Sequence, residues 1–160
     1  MYFDALSFLE DERDAFRPFE QLLDLTDEQL DIPVPAAGGW SGRDLMGHIV
    51  LCLEDALNTA KELAVGETSR TKARLDAEWA IPGRVDELNE DGIKRFRALP
   101  IGEVRQLFRD TAGELRGYLT VVPEIRWIKH AETQNWFFEE TLEHYEDHAK
   151  DLQAILEAAS

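Results

Sequence analysis

Apolar residues spaced three and four positions apart restrict this chain more than any other feature. Between Ser41 and about Leu63 they recur as Leu45, Ile49, Cys52, Leu53, Ala56, Leu57 and Ala60, which is one stripe of a 3.6-residue helix. Ser41 is a good N-cap, and Asp44, three residues on, can reach back toward it or favour the positive end of the helix dipole. No segment shows convincing two-residue alternation bounded by turn residues, so the chain is expected to be all-α.

The same spacing predicts three further long helices. The first covers roughly 2–24, with Leu6, Leu9, Phe16, Phe19 and Leu23 near one face and Pro18 placed to kink or interrupt it. Thr26 and Gln29 in "LTDEQL" form a capping-box pattern, and the "DIPVPAAGGW" that follows reads as a loop from its prolines and glycines. Residues 64–83 are polar and aperiodic. They read as a long connection with room for one helical turn, the kind of segment that is often functional or mobile. A shorter helix is expected over 84–98, then, past Pro100, a long one over 102–121 that buries Val104, Leu107, Phe108, Leu115, Tyr118 and Leu119. Beyond Pro123 the last helix is expected over 133–158, with Phe137, Thr141, Leu152 and Ile155 on its face. Four long amphipathic helices without strands predict a four-helix bundle. At 160 residues and 44% hydrophobic composition, the chain suits a single domain over 1–160 around one sizeable core.

The last helix contains "TLEHYEDHAKDL", with His144 and His148 four residues apart. Such residues sit about 40° apart around a helix with Cβ atoms about 6 Å apart, so both rings can converge on one ion. Two imidazoles leave a metal under-coordinated. His48, between Leu45 and Cys52 on the seam of its own helix, is the natural third ligand. Neutral imidazole suits zinc, nickel, copper or iron(II), and three protein ligands leave positions open for water or substrate. Set against this, His-x-x-x-His on an acidic helix is common by chance, and rings serving only as packed polar residues would bind no metal. Glu140 and Asp151, on the same side, can ligate, orient imidazole, or simply belong to a solvated acidic face. Cys52 can be a ligand or a reactive thiol, but core packing is the favoured reading for a free cysteine. His130 needs no special role, and Trp40 and Trp136 are expected as core anchors that can also wall a ligand pocket.

Thirty-three acidic against 17 basic residues give a formal charge of -16, which disfavours nucleic-acid and membrane-surface roles. The N-terminal "MYFDALSFLEDERD" lacks the basic start and apolar run of a secretory signal, and no stretch of about 18 apolar residues occurs. With a single cysteine, the expected location is cytoplasmic.

The stretches "LTDEQLDIPVPAAGGWSGRDLMGHIV", "LPIGEVRQLF" and "TLEHYEDHAKDL" together resemble the DinB-like superfamily, which includes the thiol-dependent maleylpyruvate isomerases and the ClbS/DfsB-like helical bundles. The most specific element is the Gly-Trp-Ser cap followed by a histidine on one helix, combined with His-x-x-x-His on the last. The resemblance implies an up-down-down-up bundle, here with an extra short helix before the third long one. It also implies a divalent metal held by one residue of the second long helix and two of the fourth, by position His48, His144 and His148. Many relatives carry a cysteine before the Gly-Trp, where this chain has Ala36 and Ala37. The implied function is a metal-dependent transferase, isomerase or hydrolase acting on a small electrophile. Its metal would be zinc, nickel or iron and its cosubstrate a low-molecular-weight thiol. The alternative is a non-catalytic bundle that sequesters a small molecule or toxin. Whether the protein forms a homodimer stays open.

Overall fold

The structure, a computed structural model, describes residues 1–160 and contains helices and connections but no strand. The α-helices are α1 (Ala5–Phe16), α2 (Asp27–Leu30), α3 (Gly42–Val65), α4 (Arg70–Trp79), α5 (Arg84–Ala98), α6 (Ile101–Val121), α7 (Ala131–Phe138) and α8 (His144–Ala159). A 3₁₀ segment, Arg17–Asp24, follows α1, and a π-helical turn, Glu139–Glu143, joins α7 to α8.

The most apolar of the long helices, α3, is the centre of the bundle. It packs most extensively on α6, then on α5, and also touches α4 and α8. Leu45, Ile49, Leu53, Ala56 and Ala60 are fully buried on it, and they belong to one continuous core with Phe8, Phe108, Trp127 and Phe137. Fully burying a side chain such as Leu or Phe contributes about 1.5–3 kcal/mol, so this seam dominates the packing energy of the helix. Gly47 lets α5 approach closely, since a Cβ there would lie 2.6 Å from the Phe96 Cβ. The start of α3 is held twice. Ser41 and Asp44 form a reciprocal capping box, and the Asp44 carboxylate accepts two 2.9 Å hydrogen bonds from the Arg97 guanidinium of α5.

As expected, the first helix is interrupted at Pro18, which sits at the second position of the 3₁₀ segment. Two residues placed on buried faces are exposed. Leu6 is 67% exposed because the buried stripe of α1 runs through Phe8, Glu12 and Phe16, and Leu6 lies half a turn away. Tyr118 is 37% exposed, at the edge of the α6 stripe, with the Lys61 ammonium 5.5 Å from its ring centre.

The larger correction concerns residues 64–83, where the ten-residue α4 stands in place of a long connection. Only Leu75 is buried on it, so it leaves almost no apolar period in the sequence. Polar contacts hold it instead. Ser69 caps Lys72 N, and the Glu62 carboxylate accepts from the Ser69 hydroxyl and from Arg70 N and Thr71 N. Lys72–Asp76 and Arg74–Glu78 pair at four-residue spacing at 2.7 and 3.2 Å. Trp79, its last residue, stacks on Trp136 with ring centres 6.3 Å apart.

Candidate functional site

His48 from α3 and His144 and His148 from α8 come together, with ring centres 4.7–4.8 Å apart and one ligand atom from each within 4.8 Å of the others. The Nε2 atoms of His48 and His144 are 2.8 Å apart. The loop before α3 supplies the wall. Gly38 and Gly39 take positive φ values of 66° and 87°, which turns the chain so that Trp40 stacks on His148 at 5.5 Å and leans on His48 at 4.9 Å. Trp40 is therefore a wall of the site, partly buried, whereas Trp136 is a buried core anchor.

Burial, and then the neighbouring rings, push the His48 imidazole down to about 3. Burial, and then His148, push His144 down to about 4. Both rings are neutral at ordinary pH, which is the form that donates a lone pair to a metal. His148 Nδ1 lies 2.8 Å from the Asp151 carboxylate. That contact holds the proton on Nδ1 and leaves Nε2 as the free donor atom, so Asp151 orients an imidazole. His48 Nδ1 is buried and has no partner. A donor set of three imidazoles, one of them backed by a carboxylate, suits a divalent transition metal such as zinc, nickel or iron.

A cavity of about 440 Å³ opens beside the cluster, reached by His48, Cys52, Asp55, Trp79, Glu140 and His144. Cys52 is not packed in the core. Its thiol lies 3.3 Å from His144 Nε2 on the cavity wall, and burial, followed by the Glu140 and Asp55 charges, raises it well above the usual thiol range. Glu140 does not belong to a solvated face either. It is 8% exposed, and burial, with the nearby Asp55 charge, raises its carboxyl to about 8. Asp55 is raised to about 6, again chiefly by burial. The π turn puts Glu140 there. An extra residue in the turn offsets the preceding segment by about 100° from a straight α-helix, and Thr141 donates its hydroxyl to Phe137 O at 2.6 Å within it.

Because Glu140 keeps its proton in the folded chain up to about pH 8 but releases it near 4.5 when unfolded, its contribution to stability is full below about pH 4.5 and is lost as the pH rises through 8. The Glu140→Gln protein is expected to gain stability relative to the parent as pH rises from 5 to about 8.5. Urea unfolding across that range measures it, and parallel stability curves would refute the assignment.

The sequence reading left out Asp55, Trp79 and Arg74. For Asp55 a signal existed, since 48, 52 and 55 follow the four- and three-residue steps of one helix face. Trp79 and Arg74 lie on α4, which the sequence reading treated as a connection. His130 does have a structural role, because its Nδ1 accepts from Thr133 N at 3.3 Å and caps α7.

Residues 9–153 match the family model described as mycothiol maleylpyruvate isomerase N-terminal domain. No curated protein and no solved structure matches the chain. No helix is long and apolar enough to cross a membrane.

Proposed function

The chain belongs to the mycothiol maleylpyruvate isomerase N-terminal domain family, part of the DinB-like superfamily, and on that premise we propose a metal-dependent enzyme that uses a low-molecular-weight thiol to transfer to, or isomerise, a small electrophile. The observation that carries this reading is the convergence of His48, His144 and His148 beside a cavity. In this reading the three imidazoles hold one divalent transition metal. When bound, that metal supplies Lewis acidity, lowering the pKa of a thiol or water so that it acts as an anion near neutral pH.

The chain's own residues prepare the site. Burial keeps the His48 and His144 rings neutral, Asp151 fixes the tautomer of His148, and the Trp40 ring shields two of the imidazoles from water. Cys52 is held as a neutral thiol, so it does not serve as the nucleophile, and an external thiol such as mycothiol fills that role. The proposal extends to the architecture. The chain is one domain whose four long elements, α1, α3, α6 and the α7–α8 unit, run up-down-down-up, with α4 and α5 inserted between the second and third. The reading includes a cytoplasmic location and a small-molecule substrate, and no nucleic-acid partner.

The test compares two variants in a thiol-transfer assay with metal and mycothiol added. Cys52→Ser is expected to keep most of the turnover, while His48→Ala removes it in a protein that circular dichroism shows to be helical. The reverse ranking, an inactive Cys52→Ser protein beside an active His48→Ala protein, would sink the reading and point to covalent chemistry at Cys52. Metal binding without any thiol-dependent turnover would instead favour a sequestering bundle.

A further inference from the structure

The wall of the cavity away from the histidines has its own chemistry. Leu51, Leu75 and Leu88 make it apolar, and two carboxyl groups, Asp55 of α3 and Glu140 of the π turn, open onto it. Glu140 is 8% exposed and its Oε2 is buried without any hydrogen-bond partner, an unfavourable state for a polar group that has given up its water. A carboxyl turned into a cavity and left unpaired there is complete only when a donor enters. The one guanidinium on the same lining, Arg74, does not fill that role. Its Nη1 donates to Glu78 at 3.2 Å, and its side chain is 55% exposed at the rim. Burial raises both carboxyls, and at Asp55 the nearby Arg74 charge offsets only part of that rise.

We propose that this wall is a subsite for a cationic nitrogen carried on a small apolar body, with the Asp55 carboxylate as its counter-charge and Glu140 as a second acceptor beside it. The inference rests on the metal-enzyme reading only in assigning the cavity to substrate, and it names that substrate's class as a small electrophile that carries a cationic nitrogen on an apolar body. The protonated nitrogen donates to the Glu140 carboxyl and to the Asp55 carboxylate, while the apolar body packs among the leucines and Trp79. An anionic small molecule would face two carboxyl groups across a low-dielectric cavity, so acids of the same shape are rejected.

Three probes of one shape separate the possibilities: 2-phenylethylammonium, neutral 2-phenylethanol and anionic phenylacetate. Their binding to the metal-loaded full chain is measured by calorimetry and repeated after removal of metal with a chelator, because an amine can also ligate a metal. The ammonium is expected to bind about tenfold or more tightly than the alcohol, with phenylacetate weakest, in both preparations. The isosteric Glu140→Gln and Asp55→Asn proteins are each expected to lose about tenfold of that preference while keeping the metal content of the parent. Phenylacetate binding as tightly as the ammonium would overturn the proposal, as would a preference that survives the double substitution or the absence of saturable ammonium binding at millimolar concentration. Loss of metal stoichiometry in the parent protein would count against the metal reading alone, since the ammonium preference is measured without metal as well.

Discussion

A His144→Ala protein is expected to lose stoichiometric metal, with affinity reduced by more than about 100-fold, because two imidazoles then remain where three converge. His144 is the central member of the cluster. Its Nε2 lies 2.8 Å from His48 Nε2 and 3.3 Å from the Cys52 thiol. Asp151→Asn is expected to have the smaller effect of a partner that only orients a ligand, about 10- to 100-fold, because a neutral amide that can also present its NH2 replaces the carboxylate that fixes the His148 Nδ1 proton. Elemental analysis of tag-free protein and competition with a chromophoric chelator measure both. A His144→Ala chain that keeps full metal content at unchanged affinity would show that the cluster is not the metal site.

The second large effect is on stability. Glu12 of α1 is 1% exposed and bonds two groups, the Arg116 guanidinium of α6 and the Tyr145 hydroxyl of α8, which donates to it at 2.8 Å. Tyr145 directly follows His144, so this network ties the helix that carries two of the imidazoles to α1 and, through Glu12, to α6. Replacing Arg116 with Met leaves a buried carboxylate with only the tyrosine hydroxyl, and the expected cost is about 3–5 kcal/mol. Adding Glu12→Leu to that variant is expected to recover much of the loss, since a pair replaced by apolar groups leaves no buried charge behind. Chemical denaturation of the two proteins measures this. An Arg116→Met protein within about 0.5 kcal/mol of the parent would mean that the pair contributes no more than a surface contact.

Much of this molecule was legible in the sequence because its long helices each bury a stripe. The period of Leu45, Ile49, Leu53, Ala56 and Ala60 marked α3, the hydrogen-bonding pattern of Ser41 with Asp44 marked its start, and Pro18 marked the break after α1. The histidine cluster was legible for the same reason. Helical spacing puts His144 and His148 on one side of α8 and His48 on the seam of α3, and packing those seams brings the rings together. The family resemblance added the ligand set and the thiol chemistry, and the match over residues 9–153 supports the family itself.

What the sequence did not show has physical reasons as well. A helix such as α4 buries a single leucine and is held by caps and ion pairs, so hydrophobic periodicity cannot reveal it, yet it supplies Trp79 and one wall of the cavity. The π turn at 139–143 has no signature in the spacing of apolar residues, and an uninterrupted helix would carry Glu140 about 100° from where it stands. Local sequence thus determined which faces are apolar and which three imidazoles can meet. Only the packing of α3, α4 and the π turn around one cavity decided that Glu140 and Asp55 lose their water and that Cys52 lies against His144, because desolvation is a property of everything that surrounds a group.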